Sequence, residues 1–137
     1  MKPAPASPAA SPAAPAVWTQ VRSNGKFLAA DGDPAWWLNG VSYGPFPPNS
    51  AREPFPAPDV LEADLRLIAA LGFNTLRLYT PPSAELRARA KKHRLRLLVT
   101  LSWTDHIDFL DDATHARSIV ESVTAQAREL AGDPAIA

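Results

Sequence analysis

Apolar positions along the chain change period at one glycine. Leu61, Leu65 and Ile68 fall at i, i+4 and i+7, with Leu67 and Leu71 beside them. This spacing predicts a helix with a wide apolar stripe. Gly72 stands where a left-handed C-terminal cap belongs. From Phe73 the period becomes two: Leu76 and Leu78 share one face, and Thr75, Arg77 and Tyr79 share the other. Pro81-Pro82 ends that strand, because proline cannot donate to a ladder. An arginine in such a strand needs a carboxylate or a polar ligand if it is buried. Arg77 is therefore expected either to pair with an acid at the strand's rim or to line a polar site there.

The same reading extends along the chain. Met1 to Ala16 is nearly all Pro, Ala and Ser, a composition that builds no core, and it reads as a disordered tail or linker. Val17 to Trp37 reads as short antiparallel strands, with turns at Asn24-Gly25 and Asp31-Gly32. A buried strand is expected from Trp36 to Tyr43, then a proline-rich loop, Asn49 to Pro58, of the kind that walls a binding site. Asp59 is expected to cap the first helix, with Glu62 as its capping-box partner. Ser83 caps a second helix that runs to about His93, with Leu86 and Ala90 inward, and Arg94 stands where a terminal glycine is usual. Leu95 to Trp103 reads as a strand apolar on both faces at its centre, as suits a parallel strand covered by helices. A loop leads to a third helix, about Ala113 to Leu130, with Ile119, Val120, Val123, Ala127 and Leu130 on one side and Gly132 as its cap. Asp133 to Ala137 looks like the run-in to a further strand.

Strand, loop and helix thus alternate three times, with a fourth strand beginning. That order predicts an α/β fold with a parallel sheet, the first three units of a (β/α)8 TIM barrel, preceded by a short β-hairpin region and the Pro/Ala-rich N-terminus. The domain boundaries read as a tail over 1–16 and a partial barrel over 17–137. Tyr43, Arg77, Tyr79, Trp103 and His106 follow the C-terminal ends of the strands, the face that carries active sites in such barrels.

Composition narrows the chemistry. The 137 residues carry 14 basic and 14 acidic side chains, so charge argues for neither nucleic acid nor an anionic membrane surface. The basic run Arg87, Arg89, Lys91, Lys92, Arg94 and Arg96 lacks interleaved aromatics and reads as a solvated outer helix face. There is no cysteine, hence no disulfide or thiolate metal site. No apolar run approaches the roughly 20 residues of a membrane span. The N-terminus lacks an apolar signal core, which leaves a cytoplasmic location as the default. Asp31-Gly32-Asp33 has a flavour of a calcium loop but reads as a tight turn. Asp105, His106 and Asp108 would suit a metal-dependent hydrolase, yet no His-x-His pair accompanies the first strand. No metal or cofactor is expected.

Leu38-Asn39-Gly40-Val41-Ser42-Tyr43-Gly44-Pro45-Phe46, then Asp64-Leu65 with Leu71-Gly72-Phe73-Asn74-Thr75-Leu76-Arg77-Leu78-Tyr79, then Leu97-Leu98-Val99-Thr100-Leu101-Ser102-Trp103, resembles the opening of a clan A glycoside hydrolase TIM barrel of the family 2 type. The likeness covers about residues 20 to 137. It implies hydrolysis or transfer of O-glycosyl bonds, with an oligo- or polysaccharide as partner. By this resemblance Arg77 matches the arginine that supports the catalytic carboxylates, while Tyr43, Trp103 and His106 fall where sugar contacts are made. Family members use two glutamates, about 5–5.5 Å apart in retaining enzymes, the first in an Asn-Glu pair after the fourth strand. No Asn-Glu occurs here, and Glu53, Glu62, Glu85, Glu121 and Glu129 fall in a loop or on helices. The chain is thus expected to hold no catalytic residue and to be inactive alone, with the remainder of the barrel downstream. The alternative is a non-catalytic glycan-binding or spacer domain of the kind fused to family 2 glycosyltransferases.

Overall fold

A computed structural model describes residues 18–50, 52–103 and 111–137; the Pro/Ala-rich tail lies outside them. The fold is α/β; among the described residues there are three helices and two three-stranded sheets, and no closed barrel. The first sheet is an antiparallel meander of β1 (Arg22–Asn24), β2 (Phe27–Ala30) and β3 (Asp33–Trp36). Asp31 and Gly32 both have positive φ (57° and 84°), the pattern of a type I′ hairpin turn. The other turn is shifted by one residue from the Asn-Gly signal. Asn24 pairs with Phe27, so the turn residues are Gly25 and Lys26, and Gly25 supplies the positive φ.

The second sheet is parallel, in the order β4 (Gly40–Ser42), β5 (Thr75–Leu78), β6 (Arg96–Val99). The strand expected from Trp36 to Tyr43 is two elements, since Trp36 closes β3 and the chain crosses to the other sheet before Gly40. A parallel bridge between Leu97 and Ile136 starts a fourth strand beside β6, as the run-in at Asp133–Ala137 predicted.

Helix α1 (Pro58–Ala70) is not capped by Asp59. Pro58 occupies the first turn, where its missing N–H costs nothing, and Ala57 is the cap position. At the other end Gly72 adopts φ 86°, its N–H donates to the Ala69 carbonyl and that of Phe73 to Ile68. This Schellman arrangement satisfies carbonyls that the helix end would otherwise leave bare. Helix α2 (Ala84–Lys92) is capped by Ser83, whose Oγ accepts from the Leu86 N–H at 3.2 Å. Its C-terminus repeats the Schellman pattern, with Arg94 at φ 57° in the glycine's place. Helix α3 (Ala113–Leu130) is capped by Asp112, which accepts from the N–H groups of Thr114 and His115.

Leu76, Leu78 and Leu97 meet Leu61 and Leu65 of α1 and Leu86 and Ala90 of α2 in one core, closed at the edge by Tyr43 and Phe55. Burial of this set is the main stabilising term. The helices cover only that face of the sheet. On the other face Arg77, Leu98 and Thr100 are exposed, so the expected two-sided cover of β6 is not found. Helix α3 packs less closely than its pattern suggests. Leu130 is its one buried residue among those described, and Val120 is 64% exposed.

Candidate functional site

The two sheets meet at the N-terminal end of the parallel strands. Arg96, the first residue of β6, is only 1% exposed. Its Nη2 donates to Asp31 Oδ1 at 2.7 Å and its Nη1 to the Pro134 carbonyl at 2.6 Å. Its guanidinium lies over Trp18 and Trp36, at 4.7 and 5.4 Å from their ring centroids. Asp31 Oδ1 also accepts from the Thr19 N–H, and the Thr19 hydroxyl accepts from the Asp31 N–H. Burial raises the Asp31 pKa, but Thr19 and Arg96 outweigh it and hold the carboxyl below its ordinary value. The buried arginine of the fold is thus Arg96 and not a member of a solvated helix face. Both carboxylates of Asp31-Gly32-Asp33 are taken by protein donors, Asp31 by Arg96 and Thr19, and Asp33 by the Ala35 N–H.

The strand starts are clasped by two asparagines. The Asn39 N–H donates to Asn74 Oδ1, Asn74 Nδ2 donates to the Trp37 carbonyl, and Asn39 Nδ2 donates to that of Gly72. Asn39 and Asn74 therefore do structural work at the end of the sheet opposite the expected site.

At the C-terminal end of β5, on the helix-free face, Arg77 and Tyr79 form a pair. The guanidinium lies 4.7 Å from the Tyr79 ring centroid, and Nη1 reaches the phenol oxygen at 3.5 Å. Both residues are exposed, and no ion pair to Arg77 occurs among the described residues. In place of the rim ion pair, among the described residues, stands an exposed cation stacked on an aromatic ring. This arrangement offers a flat ring and several hydrogen-bond donors side by side.

Tyr43 does not join them. It is buried on the helix side, meets Phe46 edge-on at 4.8 Å, and donates its hydroxyl to Asp64 Oδ2 of α1 at 2.8 Å. Burial, then the Asp64 carboxylate, pushes the phenol pKa up. Even alternation explains the outcome: Val41 and Tyr43 share the face that α1 covers, whereas Ser42 is exposed on the other. Trp103 lines a cleft of about 530 Å³ under α3 with Ser102, His115, Ser118, Ile119 and Ser122. His106, with Asp105 and Asp108, lies outside the described residues. Among the described residues no group of three His, Asp or Glu side chains is placed to hold a metal ion.

Glu62 and Glu85 are engaged on the helical side. Glu62, expected in a capping box, instead reaches α2, where it meets Arg89 at 3.0 Å, His93 Nε2 at 2.9 Å and the Lys92 ammonium. Lys92 and His93, followed by Arg89, hold its pKa down to about 2. Glu85 pairs with Arg89 one turn on at 2.7 Å. Arg87 and Lys91 face Asp133 at 3.7 and 2.9 Å. The basic run is thus largely spent on ion pairs that tie α2 to α1 and to the last turn. Among the described residues no helix is long and apolar enough to cross a membrane. No protein-family model matches the chain, and no curated protein matches it.

Proposed function

We propose that the chain is the front part of a glycoside-hydrolase-type (β/α)8 barrel that contacts carbohydrate and supplies no catalytic carboxylate itself. The observation that carries this reading is the Arg77–Tyr79 pair at the C-terminal end of β5, on the face no helix covers. In a barrel that face turns inward, and the strand ends there form the active-site mouth. An exposed aromatic ring suits the apolar face of a pyranose, and a guanidinium suits its hydroxyls or a partner carboxylate. The sheet order supports the barrel reading, since each strand is added parallel beside the last, β4, β5, β6 and then Ile136.

A second reading, a glycan-binding or spacer domain without catalysis, is favoured by one observation: Glu62 and Glu85 are engaged in ion pairs on the helical side. The two readings agree on where sugar touches the chain. NMR titration with cello-, manno- and galacto-oligosaccharides separates both from a role unrelated to sugar. The expected result is shift changes centred on Arg77 and Tyr79, abolished in Arg77→Ala, with no turnover of aryl glycosides by the 137-residue chain. No response on that face to any of the three series overturns the carbohydrate reading. Turnover by the chain alone overturns the claim that it lacks a catalytic pair.

A further inference from the structure

The dipeptide Asn-Gly occurs twice, at Asn24-Gly25 and at Asn39-Gly40. Locally the two are alike. A carboxamide precedes a residue without a Cβ, so no side chain hinders its approach to the following backbone nitrogen. The fold treats them differently.

Asn39-Gly40 lies at the start of the parallel sheet. The Asn39 N–H donates to Asn74 Oδ1 at 2.8 Å, and its Nδ2 donates to the Gly72 carbonyl at 3.0 Å. Its carbonyl accepts from the N–H groups of Asn74 and Thr75 at 2.9 and 3.2 Å. Gly40 then enters the ladder opposite Thr75. A Cβ there would stand 3.2 Å from the Leu38 side chain and 3.5 Å from the Thr75 carbonyl. To fold its carboxamide onto the Gly40 nitrogen, Asn39 must release Gly72 and draw the first residue of β4 out of the sheet.

Asn24-Gly25 lies instead at a hairpin. Asn24 is exposed and ends β1, an edge strand. Gly25 takes φ 60° in the turn, and among the described residues no atom beyond its chain neighbours lies within 4 Å of its Cβ position. A hydrogen bond from Asn24 Nδ2 to the Pro34 carbonyl, at 2.9 Å, holds the carboxamide. Breaking it disturbs only a strand end and a turn, which open at low cost.

We infer that Asn24 is a site of spontaneous deamidation and that the fold protects Asn39 from the same reaction. The Gly25 nitrogen bonds to Asn24 Cγ, and the Cγ–Nδ2 bond breaks. Ammonia leaves with the proton from the glycine nitrogen, and a cyclic imide remains. Water then opens the ring. Addition at the side-chain carbonyl yields aspartate; addition at the backbone carbonyl yields isoaspartate, with the main chain rerouted through Cγ. Either product adds one negative charge to a chain of zero formal net charge. Either also removes the donor to Pro34, so that β1 loses this tie to β3. Isoaspartate further lengthens the backbone where Asn24 pairs with Phe27. None of this depends on the sugar reading.

The test incubates the 137-residue chain in mildly alkaline buffer, with and without unfolding urea. Peptide mass spectrometry reads the gain of one mass unit at each asparagine, and electron-transfer fragmentation separates isoaspartate from aspartate. In urea the two sites are expected to convert at rates within about threefold of each other, since no sheet then has to open. In native buffer Asn24 is expected to convert about tenfold or more faster than Asn39, because reaction at Asn39 waits for opening of the sheet. Equal native rates, or faster conversion at Asn39, overturn the inference. So does a native chain in which neither site converts while both convert in urea. An equally large preference for Asn24 in urea also overturns it, because the selection would then belong to the flanking residues and not to the fold.

Discussion

Asp31→Asn isolates the charge that the buried Arg96 depends on. Asn tolerates the positive φ of this position (57°) and can still accept from the Thr19 N–H, so turn strain and backbone bonding are preserved. What is lost is the counter-charge to a guanidinium whose side chain is 2% exposed. Removing one partner of a buried ion pair costs about 3–5 kcal/mol, and the remaining neutral acceptor places Asp31→Asn near about 3 kcal/mol. Arg96→Met is expected to cost less, about 1–2 kcal/mol. It sacrifices the charge-assisted bonds and the stacking on Trp18 and Trp36, but it also removes the desolvation penalty of the guanidinium and leaves Asp31, 17% exposed, partly hydrated. Adding Asp31→Asn to Arg96→Met should then cost well under about 1 kcal/mol, because no buried charge remains to be stranded. Urea unfolding followed by tryptophan fluorescence measures all three, with Trp18 and Trp36 reporting on the cluster itself. An Asp31→Asn loss below about 0.5 kcal/mol, or an Arg96→Met loss larger than that of Asp31→Asn, would refute the reasoning. Either would mean that the guanidinium finds water or another partner, so that the meander is not held to the sheet by this pair.

Arg94→Gly should stabilise the chain by about 0.5–1 kcal/mol in the same unfolding assay, since a left-handed arginine costs roughly 1–2 kcal/mol and glycine returns part of that as chain entropy. Asp112→Ala should destabilise it by about 1 kcal/mol through loss of the α3 cap, and Asp112→Ser should restore most of the loss. Glu62 has a folded pKa of about 2 against an ordinary 4.5, so its contribution is complete above pH 4.5 and disappears as pH falls through about 2. Stability measured against pH should therefore decline over that window, and Glu62→Gln should flatten the decline; an unchanged slope would show that the α1–α2 cluster carries none of it.

Most elements are readable from local signals, although the Asp59 cap does not form and the Asn24-Gly25 turn is shifted by one residue. The glycines at 25, 32, 72 and 132 adopt positive φ, the Ser83 cap forms, and the leucines of β5 face α1 and α2. Arg94 shows the limit of a composition rule: the Schellman bonds at the end of α2 form with arginine in the glycine's place, because the buried Leu95 and Ala90 fix the turn from outside. The candidate site was readable in part. Arg77 and Tyr79 share a face by simple alternation, and they meet. Tyr43 ends a strand, as a site residue would, but alternation there places it under α1, where Asp64 accepts from its hydroxyl.

Sequence alone thus determined the order of the helices and of the strands of the parallel sheet and the burial of Leu61, Leu65, Leu76, Leu78 and Leu86, because each depends on residues within a few positions of one another, whereas Leu67 and Leu71 of the same apolar stripe are exposed. Only the tertiary structure decided the fate of the charges. Arg96 looks like one more member of a basic run until Asp31, 65 positions away, is brought against it. Glu62 looks like a capping residue until His93, 31 positions on, lies within hydrogen-bonding distance. The physical reason is that an ionised side chain is neither buried nor solvated by its own preference. Its place is set by whether the fold delivers an opposite charge and enough hydrogen bonds to offset the water it loses.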